Sequence, residues 1–314
     1  MYPLLSKTII SLLTMAVVAL GHHTSISPVT NHAAPDRVLA TQGAQPASAA
    51  AAPEAAPAAA APPAPAAAPS APAAAQQSNE IAPSKKFALI IGIVYNSDDL
   101  GTVHYADQDA GSVYSMLINK MGFLPQNILY LKDERATREN IMNSLGWLAT
   151  NPNIDSSSEV VVFYSGHGVK NVPGAIVDNP QLGPGTALVP YDYHNYDYQR
   201  GAGLIWDKDL AAKLGNLRPA RMWVNIDSCF SAGFLIPGIT GPNRVVVASS
   251  GADQLSNEIP SVQGGVETHF LVNEAMDQLG MPVEQAFWYA YTRSQNYSQS
   301  PEIADNYPGN LDLR

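Results

Sequence analysis

Two residue types in this chain, each sitting in a small-residue turn, have the makings of covalent catalysis. Cys229 is the only cysteine among 314 residues. It lies in Asp227-Ser228-Cys229-Phe230-Ser231, directly after the apolar run Arg221–Asp227. His167 lies 62 residues earlier in Tyr164-Ser165-Gly166-His167-Gly168, directly after the run Glu159–Ser165. A thiolate attacks a carbonyl carbon, an imidazole moves the proton to the leaving amine, and backbone N–H groups hold the oxyanion. A lone cysteine is more often a small buried hydrophobe, and a lone loop histidine is more often polar surface. Their joint placement at two strand ends, among glycines and serines, favours chemistry.

The surrounding elements must bring the two together. Phe87–Val94, Asn127–Leu131, Glu159–Ser165, Arg221–Asp227 and Arg244–Ser249 read as strands, mostly as continuous β-branched runs of the kind buried on both faces. A further short strand is expected at Thr186–Val189. Helical spacing predicts helices over Ala110–Met121, Thr137–Ala149, Asp207–Leu214, Thr268–Leu279 and Val283–Tyr297, with Thr137 as an N-cap. Strands alternating with helices predict a mainly parallel sheet covered on both faces. Ligand sites in such sheets lie beyond the carboxyl ends of the strands, where both motifs fall.

Composition divides the chain into three parts. Lys7 followed by the apolar Thr8–Leu20 and the small residues Ala19 and Gly21 predicts a signal peptide over residues 1–21. The expected destination is the periplasm or the medium, with an uncleaved N-terminal anchor as the alternative. No stable membrane span is expected after cleavage. Residues 22–84 read as a disordered linker, since 46–75 hold 19 Ala and 8 Pro and little that forms a core. Residues 85–314 read as one globular domain. Setting aside Lys7, Arg37, Asp36, Glu54 and Glu80 leaves it 15 basic and 24 acidic residues. That balance argues against a nucleic-acid partner. A single cysteine rules out an intramolecular disulfide and Cys-x-x-Cys metal sites. There is no Gly-x-Ser-x-Gly elbow, phosphate-binding loop or His-Glu-x-x-His helix.

The paired motifs resemble those of the caspase-like cysteine peptidases of family C14, especially metacaspases and their bacterial orthocaspase-like relatives. The resemblance extends to Phe87–Tyr95, Ala106–Ala110, Val189–Asp192 and Ala248–Gln254, in the right order. It implies a three-layer α/β/α sandwich with a mainly parallel six-stranded sheet, the caspase-hemoglobinase fold. It implies Cys229 as nucleophile, His167 as acid/base, and the backbone amides of Gly168 and Cys229 as oxyanion donors. Asp109, Ser165 and Asp227 match positions that line an acidic S1 pocket. Carboxylates there would accept Arg or Lys and reject Asp. The bland reading of Asp109 is a helix cap.

The implied partners are proteins or peptides, and the implied activity is that of an exported cysteine endopeptidase. No cofactor is expected. Many metacaspases bind calcium through an adjacent acidic pair, but the matching Asp207-Lys208-Asp209 is interrupted by a lysine, so no calcium dependence and no metal site are expected. Ala232 replaces a glycine usual after Cys-x-Ser. Lys85-Lys86 and Arg200-Gly201 are candidate self-processing sites. Two competing readings stay open: a legumain-like peptidase cutting after Asn, and an inactive caspase-fold binding module.

Overall fold

The computed structural model describes residues 80–96 and 99–314. The signal peptide and nearly all of the linker expected from the sequence lie outside the described residues. The strands are β1 (Lys86–Gly92), β2 (Ile128–Lys132), β3 (Glu159–Ser165), β4 (Gly168–Lys170), β5 (Thr186–Leu188), β6 (Ile205–Trp206), β7 (Arg221–Asp227), β8 (Arg244–Ala248), β9 (Glu258–Ile259), β10 (Gly264–Gly265) and β11 (Glu302–Asp305). Helices α1 (Ala106–Asn119), α2 (Arg138–Thr150), α3 (Asp207–Leu214), α4 (Val266–Thr268) and α5 (Val283–Ser294) pack around them, α4 running on as a π-helix (His269–Gln278).

Six strands form one sheet in the order β11-β8-β7-β3-β1-β2, all parallel except β11. The continuous apolar runs follow from burial on both faces. Along β1, Phe87, Leu89 and Ile91 enter one core while Ala88 and Ile90 enter the other. Along β3, Val160, Val162 and Tyr164 take the first face, and Val161 and Phe163 the second. Residues of α2, α3 and the small sheet β4-β5-β6 cover the first face. Residues of α1, the π-helix and α5 cover the second. The result is the three-layer sandwich. Each fully buried Val, Leu or Ile contributes about 1.5–3 kcal/mol against leaving it exposed.

Three features depart from the sequence reading. The sixth strand, β11, pairs antiparallel with β8 at the sheet edge and is half exposed, so it lacks an apolar run. Helix α1 begins at Ala106, four residues before the expected start. The Glu258 carboxylate accepts hydrogen bonds from the His104 and Tyr105 N–H groups there (2.8–3.1 Å), a contact across 153 residues that no local pattern reveals. Lys86, half of one candidate self-processing site, is buried rather than exposed. It opens β1 buried, with Nζ donating to the Met121 and Leu313 carbonyls, each at 2.6 Å. Thr137 does cap α2, its hydroxyl accepting from the Asn140 N–H.

Candidate active site

The parallel register aligns the strand ends. Gly92 pairs with Ser165, and Ser165 with Asp227. Tyr164 and Ile226 face the first core, so alternation turns Ser165 and Asp227 toward the α1 side. Gly92 brings α1 close, because a Cβ there would overlap the Ala106 carbonyl and the Ala110 side chain. Asp109, inside the first turn of α1, thereby reaches across β1 and accepts from Ser165 Oγ at 2.9 Å. It does not cap its helix. Its other partner is the Gly265 N–H, at 3.0 and 3.1 Å.

Asp109, Ser165, Asp227, His167, Gly168 and Cys229 all line one cavity of about 700 Å³. Every site residue expected from the sequence is therefore brought together. Asp109 and Asp227 are 2% and 4% exposed. Asp227 accepts from Ser256 Oγ (2.8 Å), Thr268 Oγ1 (2.7 Å) and the Thr268 N–H (3.3 Å). Burial, and then the neighbouring Asp227 charge, push the Asp109 carboxyl well above the usual carboxylate range, against the Gly265 and Ser165 donors. A cation entering here would meet groups whose ionisation it favours.

His167 sits under the loop after β1. Its Nε2 lies 3.2 Å from the Gly101 carbonyl, and the Tyr95 ring packs against it at 4.5 Å between centroids. A carbonyl accepts only, so Nε2 carries the hydrogen and Nδ1 is the free acceptor. Burial lowers the imidazole below its ordinary 6.5, with the Gly101 carbonyl opposing. Tyr164 fixes the backbone beneath by donating to the His167 carbonyl at 2.8 Å.

Cys229 follows β7 in a sharp turn whose next residue, Phe230, is left-handed (φ 60°). The Phe230 N–H donates to the Gln254 carbonyl at 2.7 Å. Burial raises the Cys229 thiol above its ordinary 9.0, and the Asp227 charge adds to this. Hydrogen bonding from the Ser256 and Cys229 N–H groups works the other way. His167 and Cys229 line the same cavity, and burial favours the neutral form of each. Gly168 packs against the Cys229 turn so closely that a Cβ would overlap the Cys229 carbonyl. The Val189 N–H donates to His167 O and the Asn171 N–H to Gly185 O, which makes Gly168–Leu188 a non-hydrogen-bonded pair. The Gly168 N–H thus points away from β5.

Sequence reading missed three contributors. Ser256 ties the sites together, with its N–H at the thiol and its hydroxyl on Asp227. Gln299, fully buried, bridges the Ser249 carbonyl, Ser256 Oγ and the Asn257 N–H at 2.7–3.2 Å. Glu258 adds a carboxylate to the cavity wall. No local motif marks them, because each acts through a distant partner.

The aspartates expected to be a poor calcium pair are engaged locally. Asp207 Oδ1 accepts from the Lys208 N–H at 2.6 Å, and Asp209 Oδ2 from the Trp206 N–H at 3.2 Å. Among the described residues, no three His, Cys, Asp or Glu side chains converge as a metal site. No step below passes through a metal ion.

Comparison with known proteins agrees with this geometry. The family described as the metacaspase peptidase C14 domain matches residues 85–236. Metacaspase-4 of Arabidopsis thaliana is 31% identical over 159 residues, covering 48% of this chain and 34% of that protein. Metacaspase-1 of the same plant is 29% identical over 174 residues, covering 51% and 43%. The chain thus spans less than half the length of these relatives. A solved structure from Geobacter sulfurreducens shares the fold with TM-score 0.53 and 19% identity, over 70% of this chain and 92% of that one. Residues 85–236 of this chain thus resemble a caspase-like peptidase C14 domain of metacaspase type.

Proposed function

We propose that the chain is a cysteine endopeptidase that cleaves after Arg or Lys. The observation that carries this reading is one cavity joining a thiol and an imidazole to two buried carboxyl groups. His167 Nδ1 takes the Cys229 proton as Sγ bonds to the scissile carbonyl carbon. The Gly168 and Cys229 N–H groups hold the resulting oxyanion. The imidazolium then gives that proton to the leaving amine, the C–N bond breaks, and a thioester remains. Water, deprotonated by His167, attacks the thioester; the carboxylic acid leaves and Cys229 regains its proton. Gly101 holds Nε2–H throughout, which stabilises the imidazolium. Asp109 and Asp227 hold the cationic P1 side chain, with Ser165 orienting Asp109.

The reaction on this reading needs no calcium. The chain is exported, as its N-terminal sequence suggests. Self-processing is assigned to Arg200-Gly201, where Arg200 is exposed, rather than to Lys85-Lys86. The test is hydrolysis of peptides with Arg, Lys, Asn or Asp at P1, with and without calcium. Arg and Lys peptides are expected to be cut equally with either buffer. Cys229→Ala is expected to lose about 10⁴-fold or more in kcat/KM. Cleavage after Asn would select the legumain-like reading. Failure of Cys229 to react with an Arg chloromethylketone, with no hydrolysis, would select a binding module.

A further inference from the structure

The cavity holds more than a P1 side chain. At about 700 Å³ it falls within the ~300–1,000 Å³ range that takes a drug-sized ligand. Asp109 and Asp227 occupy the α1 side of the sheet. The cavity wall also carries the apolar side chains Val169, Val172, Ile176, Phe230 and Leu255, beside the charged Lys170, Asp253 and Glu258. Val172, Ile176 and Leu255 are 37%, 46% and 58% exposed. Large apolar side chains left in water beside a reactive cleft mark a surface that a ligand covers.

The chemistry says which part of a peptide covers it. On the peptidase reading, a scissile carbonyl placed between Cys229 Sγ and the Gly168 N–H sends the P1 side chain toward Asp109 and Asp227. The leaving amine must stay within reach of His167. From His167 the chain runs directly into β4 and then into the turn that carries Val172 and Ile176. Hydrogen bonds from Asn171 N to Gly185 O (3.0 Å), Val172 N to Val177 O (3.3 Å) and Ala175 N to Val172 O (3.1 Å) hold this turn. Phe230 closes the other side: Lys170 Nζ lies 5.6 Å from its ring and pairs with Asp253. Leu255 follows Gln254, whose carbonyl binds the Phe230 N–H.

We propose that Val172, Ile176, Phe230 and Leu255 form an apolar S1′ subsite, which selects substrates with an aliphatic or aromatic residue immediately after the cleaved Arg or Lys. This rests on the peptidase reading above.

The test uses the full chain and internally quenched peptides with Arg at P1 and Leu, Gly or Asp at P1′, scored as ratios of kcat/KM so that partial loss of folded enzyme cancels. Leu is expected to exceed Gly and Asp by about tenfold, the scale of burying one aliphatic side chain. Ile176→Asp is expected to bring the Leu:Gly ratio near one. Ile176→Lys is expected to turn the preference toward Asp. A Leu:Gly ratio within twofold in the wild type, a preference that survives both substitutions, or a preference that resides at P2 would overturn the subsite and leave the peptidase reading intact. No cleavage of any peptide, with Cys229 unreactive toward the chloromethylketone, overturns the peptidase reading and the subsite with it.

Discussion

At the scale of single residues, the resting state of the Cys–His pair sets the pH behaviour. His167 titrates below 6.5 and Cys229 above 9.0, both because burial disfavours their charged forms. The imidazole must be neutral to accept a proton. Activity is therefore expected to fall as pH drops through the lowered His167 value, and to stay level through neutrality. Alkylation of the free enzyme by iodoacetamide should accelerate as pH approaches and passes 9.0, since the thiolate is the nucleophile. Fast, pH-independent alkylation near neutrality would point instead to a standing ion pair. Asp109 titrates upward, so it gains charge only as pH rises. KM for Arg peptides should then increase toward acid pH, and Asp109→Asn should raise it about tenfold and flatten that dependence. Steady-state kinetics across the pH range check both. The placement of Cys229 and His167 at two strand ends was legible because their motifs are local. The environment of the pair was not, because it comes from burial and from Gly101, 66 residues away from His167 in sequence.

At the scale of elements, aligned strand ends place the acids, and a buried polar tie places the loop after β8. Gln299 stands between α5 and β11, beyond the region matched to the family, yet its amide holds Ser249, Ser256 and Asn257. Ser256 in turn meets both the thiol and Asp227. Replacing Gln299 by Leu removes the partner of the buried Ser249 carbonyl and of the Asn257 N–H, at a cost of about 1–3 kcal/mol. Loosening Ser256 should lower kcat and raise KM for Arg peptides, and should narrow the Arg:Asn selectivity. Gln299→Glu keeps an acceptor for the Asn257 N–H and should restore part of both. Equal thermal destabilisation by the two variants with unchanged selectivity would reduce Gln299 to a structural role. The strands that cross both cores were legible as apolar runs. The edge strand β11 was not, since one pairing partner and solvent exposure leave no such run. The start of α1 was hidden because its end is satisfied by Glu258 from a distant loop.

At the scale of the whole molecule, the domain keeps three carboxyl groups, Asp109, Asp227 and Glu267, behind one end of its sheet, each 4% exposed or less. Glu267 is the deepest. Burial, followed by the charges of Asp227 and Asp109, raises its carboxyl well above the ordinary 4.5, although Asn225 Nδ2 donates to it at 3.1 Å. A carboxyl raised by folding binds its proton more tightly in the native state. Stability is thus lost as pH climbs from the unfolded value toward the folded one. Glu267→Gln removes that loss and is expected to stabilise by about 1 kcal/mol near neutrality, a Tm gain of roughly 2–4 °C for a domain of this size. Calorimetry over a pH series reads it, and a wild-type Tm that does not fall with rising pH would contradict it. The sequence by itself determined the sandwich and marked Cys229 and His167 at the ends of its strands. Buried strands must be apolar throughout, and a nucleophile must sit where the backbone turns sharply, so both leave local marks. Only the tertiary structure decided that Asp109 crosses β1 to join Asp227, that Lys86 is core, and that Ser256 and Gln299 brace the loop beside the thiol. Those facts rest on contacts between segments tens to hundreds of residues apart, and distance along the chain carries no local signal of them.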